Sequence, residues 1–129
     1  MPETIATLCR RDIPRLAPDT AVRAALEQML SADVSAAPVL DAGGALLGVL
    51  SQKDCFRPAL AAAYHQSWTG QVADHMTRGA VSLEGGTDLV TAAEAFLDQP
   101  FRVFPVTEAG QVIGLLDRAD LLTAFLRHG

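Results

Sequence analysis

The chain repeats itself, and this limits its fold more than any other feature. When 83–116 is laid over 16–50, Leu16 meets Leu83, Thr20 meets Thr87, Pro38 meets Pro105, Asp41 meets Glu108 and Gly43 meets Gly110, each pair 67 positions apart. Past the glycines the offset is 66, so Gly48 falls on Gly114 and Asp54 on Asp120. The first copy thus carries one extra residue at Gly43-Gly44, in turn chemistry, where an insertion is tolerated. Self-similarity over such a period means that the fold is built from copies of one supersecondary unit.

Each copy reads the same way. A short extended piece, Ile13–Leu16 or Ala80–Leu83, leads to a helix start, with Asp19 or Thr20 as N-cap in the first copy and Thr87 in the second. Val22, Ala25, Leu26, Met29 and Leu30 form one helical face; Leu89, Val90, Ala93, Phe96 and Leu97 form its counterpart. A strand centred on a proline follows, Val34–Leu40 and Arg102–Val106, because a residue before Pro is pushed out of the α region. A glycine turn leads to a second strand, Ala45–Leu50 and Val112–Leu116. Ser51 then starts a helix that Arg57-Pro58 should kink or restart, and Asp117 caps a helix over Arg118–Arg127. The linker is read as Pro58–Gly70.

The unit is β-α-β-β-α, twice. One copy cannot bury both faces of so small a sheet. Two copies related by a pseudo-twofold axis can, with the sheets packed together and the helices outside: a mixed α/β (α+β) fold. The chain's 129 residues suffice for one such pair, and its apolar half is mostly aliphatic, since aromatic residues make up only 5%.

The charge is −5 with pI about 5.0, which disfavours a phosphate backbone as partner, so no nucleic acid is expected. No segment approaches the roughly 18 consecutive apolar residues of a membrane span. Met1–Leu16 carries charges throughout and has no apolar run of signal-peptide length, so a cytoplasmic protein without membrane contact is expected. Cys9 and Cys55 make no disulfide framework; reduced thiols fit them, and a single bridge stays open. His65, His75 and His128 lack metal spacing, and no serine sits in a Gly-x-Ser-x-Gly elbow. Gly43–Gly48 joins two strands rather than a strand and a helix, which excludes a dinucleotide-binding loop.

Several segments together resemble a tandem pair of cystathionine β-synthase (CBS) domains, a Bateman module. They are His75-Met76-Thr77, Asp19-Thr20, the strands Val34–Val39 and Arg102–Val106, and the strand-to-helix runs Gly48–Asp54 and Gly114–Asp120. The resemblance divides the chain into CBS motifs at 8–64 and 71–127. It implies two clefts between the motifs that take an adenosine compound: AMP, ADP, ATP or S-adenosylmethionine. It also implies a regulatory module that is not an enzyme and requires no cofactor. In proteins similar to this, the Gly-x-x-Ser/Thr-x-x-Asp segment sets a carboxylate on the ribose hydroxyls, and the adenine lies against lead-in and pre-proline residues of the other copy.

The chemistry is sound. An ionised carboxylate only accepts hydrogen bonds and suits a vicinal diol, while a helix start offers N–H groups to phosphate. The resemblance thus points to a first cleft with Ser51, Lys53, Asp54, Thr77, Ala80, Val81, Arg102 and Val103, where Lys53 and Arg102 would neutralise phosphate. A second, weaker cleft takes Ile13, Val34, Ser35, Asp117 and Asp120, with Asp117 standing where Ser or Thr is expected and repelling phosphate. Ser51-x-x-Asp54 is equally an N-cap pattern, and Arg102 equally a solvated strand charge. A homodimer through the faces of Ala21–Leu30 and Leu89–Leu97 is expected, as is an unidentified regulated protein. The alternative is a structural dimerisation or docking module whose clefts bind nothing.

Overall fold

The computed structural model describes residues 3–128, which resolve into two compact units, 13–80 and 3–12 with 81–128. The fold is mixed α/β with two three-stranded sheets.

Unit 13–80 contains α1 (Val22–Ala32), β1 (Ala36–Leu40), β2 (Leu46–Ser51), α2 (Phe56–His65) and β3 (Thr77–Arg78). The other unit contains β4 (Leu83–Glu84), α3 (Leu89–Asp98), β5 (Val103–Glu108), β6 (Gln111–Asp117) and α4 (Arg118–His128). The sheet orders are β1-β2-β3 and β4-β5-β6.

The strand pairing of one copy is reproduced in the other. Val39 pairs with Gly48 and Val106 with Gly114, and each ladder slips one residue later, between Val39 and Leu40 and between Val106 and Thr107. Leu16 bridges Val39 in parallel, as Leu83 pairs with Val106. The extra residue of the first copy is absorbed at its turn, where Asp41 Oδ1 accepts the N–H groups of Gly43 and Ala45, both at 2.9 Å. The second copy closes with Ala109 and Gly110, both at positive φ (51° and 78°), as a two-residue hairpin loop of type I′ requires.

The units are not continuous halves of the sequence, because the lead-in of each copy lies with the other copy's sheet and helix. The Ile5 N–H donates to the Thr87 carbonyl and Ala6 N–H to that of Gly85, while Arg10 and Leu115 exchange hydrogen bonds of 2.8 and 2.9 Å. Sixty-seven positions on, Val72 N–H donates to the Thr20 carbonyl and Ala73 N–H to that of Pro18, and β3 adds to β2 through Thr77↔Val49. Gly48 and Gly114 admit these lead-ins: a Cβ on either would overlap a backbone carbonyl oxygen, of Thr77 and Arg10 respectively.

The core of the second unit is Ile5, Cys9, Leu89, Ala92, Val106, Leu116, Leu121 and Ala124. The matching positions Val72, Met76, Val22, Ala25, Val39, Leu50, Cys55 and Pro58 are buried in the first. Burial of this aliphatic surface is the main stabilising term.

Some local expectations are corrected. In α3 the N-cap is Asp88, not Thr87: its carboxylate accepts the Thr91 N–H at 2.7 Å. In α1 neither Asp19 nor Thr20 caps. The preceding residue is Ala21, and Val22 N–H donates to the Gly70 carbonyl at 3.1 Å. The buried face of α3 uses Leu89, Ala92, Ala93 and Phe96, leaving Val90 55% and Leu97 87% exposed. Pro58 does not open a linker. After Ser51 a 3-10 turn at Lys53–Cys55 is followed by α2, whose third residue is Pro58, where the missing N–H costs nothing.

Candidate ligand-binding site

In both copies the second strand ends where the next helix begins, and the first strand starts directly opposite. Ala36 pairs with Ser51, and Val103 with Asp117. This antiparallel register is why pre-proline residues and helix-start residues of one copy are neighbours.

In the first copy, Ser51 N–H donates to Asp54 Oδ2 at 2.9 Å and Asp54 N–H donates to Ser51 Oγ at 3.1 Å. That reciprocal pair is a capping box. It fixes the carboxylate and leaves Asp54 Oδ1 to accept from elsewhere. The Cys55 thiol donates to the Ser51 carbonyl at 3.6 Å. Burial pushes the Cys55 thiol up in pKa and the Asp54 carboxylate adds to this, so it stays an unreactive thiol. Burial likewise raises Cys9, and both cysteines are free. Gln52 ties this helix start to the strand opposite: its N–H donates to the Ser35 carbonyl at 2.8 Å and its Nε2 to the Val34 carbonyl at 2.9 Å.

In the second copy, Asp117 Oδ1 accepts the Ala119 N–H at 2.8 Å and no 3-10 turn intervenes before α4. Arg118 N–H donates to the Arg102 carbonyl at 3.0 Å. Asp120 is exposed, and among the described residues its side chain has no hydrogen-bond partner. The reciprocal box is therefore a property of the first copy.

Of the residues singled out by sequence, unit 13–80 holds Ser51, Lys53, Asp54, Thr77 and Ala80 together with Ile13, Val34 and Ser35. Ile13 and Val34 are each only 8% exposed, whereas Lys53 and Thr77 are exposed. The other unit holds Val81, Arg102, Val103, Asp117 and Asp120. Within their own units, Val34 and Ser35 lie beside Gln52, and Arg102 and Val103 beside Arg118 and Asp117. Gln52 is the residue that sequence reasoning passes over. A long amide directly after the box serine, where apolar packing has no use for it, is the signal that marks it.

Apolar side chains are exposed on α2 (Phe56 68%, Leu60 59%, Tyr64 83%) and on α4 (Leu122 61%, Leu126 82%). On α1 the large exposed apolar residue is Leu30. Among the described residues no group of His, Cys, Asp and Glu could hold a metal ion, and no helix is long and apolar enough to cross a membrane.

The family model for the CBS domain matches residues 5–60 and 72–127. The chloroplastic CBS domain-containing protein CBSX2 of Arabidopsis thaliana is 27% identical over 92% of this chain, which spans 60% of that relative's length. A crystal structure of CBSX2 in complex with AMP is 30% identical, with TM-score 0.82 and 97% of each chain covered. Another, of CBSX2 from Arabidopsis thaliana, is 29% identical with TM-score 0.84, covering 99% of this chain and 97% of that one.

Proposed function

The chain belongs to the CBS domain family, carrying two such domains in tandem, and from that premise we propose that it is a non-catalytic regulatory module that senses an adenosine nucleotide. The observation that carries the reading is the AMP complex of CBSX2, similar to this chain along 97% of its length. The first copy's helix start supports it: a carboxylate with one oxygen held and one open suits a ribose diol. In this reading Asp54 takes the ribose, Ser51 holds its carboxylate, and Lys53 neutralises phosphate. Thr77 and Ala80 contribute walls. The second constellation, Asp117 and Asp120, is the weaker one for a phosphate ligand, because Asp117 adds negative charge.

A ligand regulates only by favouring one of two states it distinguishes, so the output passes to a partner protein or to a homodimer. The test is calorimetry with AMP, ADP, ATP, S-adenosylmethionine and adenosine, joined to thermal shift. AMP at 100 times its dissociation constant should add about 2.7 kcal/mol of stability, and Asp54→Ala should remove most of that. A second reading, a ligand-free dimerisation or docking module, draws on the apolar side chains exposed at Phe56, Leu60 and Tyr64 on α2 and at Leu122 and Leu126 on α4. Absence of binding by every adenine compound, with a dimer in sedimentation, selects it.

A further inference from the structure

We propose that two copies of this chain meet α2 against α3. The basic apolar face of α2 in one protomer packs antiparallel on the acidic apolar face of α3 in its partner, and a twofold axis repeats the contact. The proposal deepens the homodimer reading and does not depend on nucleotide binding.

α2 buries Pro58 and Ala62 and leaves Phe56, Leu60 and Tyr64 exposed. Their spacing of four residues lines them up in one stripe along the helix. Phe56 and Tyr64 are the two most exposed aromatic rings among the described residues, and rings of this kind anchor interfaces. Exposed Arg57 stands beside the stripe, and α2 contains no acidic residue. α3 buries Leu89 and Ala92 and leaves Val90 and Leu97 exposed. Glu94 lies on the same face between them, one turn after Val90, and Asp98 follows one turn later. Both carboxylates are exposed, and α3 contains no basic residue.

The two faces are complementary in charge. Carboxylates one turn apart repel each other on a helix, and among the described residues Glu94, Asp98 and Arg57 have no ion-pair partner. A guanidinium set between the two carboxylates removes that repulsion. The other helices fit less well. On α1 Arg23 already pairs with Glu27 at 3.3 Å, and Leu30 is the one large apolar side chain left exposed. α4 mixes its signs, with Asp120 between Arg118 and Arg127. Orientation follows from position: Arg57 is in the first turn of α2 and Asp98 ends α3, so an antiparallel crossing brings them together and sets Tyr64 by Val90. Arg57 to Tyr64 and Val90 to Leu97 each span seven residues, about 10 Å of helix, so the stripes match in length. Every chain carries both halves of the pair. A second copy therefore satisfies both, because in a twofold dimer a contact of α2 with α3 implies a contact of α3 with α2.

The experiment is sedimentation of the full chain over a concentration series, without added nucleotide, with urea midpoints as the check on folding. The parent is expected to be a dimer at micromolar concentration. Arg57→Glu alone, and Glu94→Lys with Asp98→Lys, should each raise the dimer dissociation constant about tenfold or more, since either change sets like charges face to face at both contacts. All three substitutions together reverse the signs of both faces and should restore the dimer to within about threefold of the parent. A parent dimer that Arg57→Glu does not weaken, or a triple variant that stays as weak as the others, overturns the pairing of α2 with α3 and leaves the homodimer reading intact. Losses that track lower urea midpoints assign these charges to folding and overturn it too. Assemblies that grow past the dimer overturn the twofold closure. A parent that stays monomeric throughout overturns both the proposal and the homodimer reading, without touching the sensing reading, which the AMP titration tests separately.

Discussion

The Thr77 carbonyl oxygen lies where the side chain of any residue at position 48 would begin. Gly48 is in the middle of β2, and the lead-in strand β3 pairs with it through Gly48↔Arg78 and Val49↔Thr77. The absent Cβ is what lets the two backbones meet. Gly114 and the Arg10 carbonyl repeat the arrangement.

Gly48→Ala and Gly114→Ala should therefore each destabilise the chain by about 1–3 kcal/mol, the usual range for overpacking against atoms that cannot move aside. Gly86→Ala is the control, because a Cβ there meets nothing within 4 Å. It should be neutral or stabilise by about 0.4–1 kcal/mol through the unfolded chain. Urea denaturation of the three variants decides the matter.

Phe104 is fully buried and meets Phe96 and Phe101 edge-on, with ring centroids 4.7 and 5.8 Å away. In a chain so poor in aromatics this cluster has no substitute. Phe104→Ala should cost about 3–5 kcal/mol. A loss below about 1 kcal/mol in equilibrium unfolding would contradict that role.

What the sequence discloses and what it hides follow different physics. The 67- and 66-residue offsets locate both strands, both turns and both packed glycines, because β pairing and turns recur at fixed spacing. The exchange of lead-ins is not legible. Ile5 and Val72 are short apolar anchors that suit either copy's helix start, and only three-dimensional closure decides between them. Caps escape for a related reason. Thr87 and Asp88 both suit an N-cap, and only the backbone reveals which one has the extended conformation, φ −76° and ψ 166° at Asp88. Ser51 and Asp54 are legible as a box. Gln52 is marked only as a long amide after the box serine; its partners, backbone carbonyls 17 and 18 positions back in the chain, are not legible.

The Asp88 cap carries a pH signature. Its carboxyl is held below the usual value of 3.8, first by the Thr91 N–H and then by the Thr91 side chain. A folded-state pKa lower than the unfolded one gives stability that is present above the unfolded value and lost as pH falls through the folded one. Asp88→Ala should thus lower the melting temperature near pH 7, and the gap to the parent should close below about pH 3.8. Thr87→Ala should show no such gap, and a constant gap across pH 2–7 in Asp88→Ala would contradict the charge argument.

Arg102 tests how phosphate is met. It is exposed, and among the described residues it has no ion-pair partner, so its guanidinium is available to an anion. If it neutralises the phosphate of a bound nucleotide, Arg102→Ala should weaken ATP about tenfold, the size of a charge-assisted hydrogen bond. Adenosine, which has no phosphate, should bind the variant as it binds the parent. Raising the salt should shrink the ATP effect, since an exposed pair is screened. Equal losses for ATP and adenosine would mean that Arg102 acts through the fold. No loss for either would leave Arg102 a solvated strand charge, next to Val103, which the strand register sets against Asp117. Asp117→Ser then separates these outcomes further. Removing that carboxylate should strengthen or create ATP binding at the second constellation, and it should do so only while Arg102 is present.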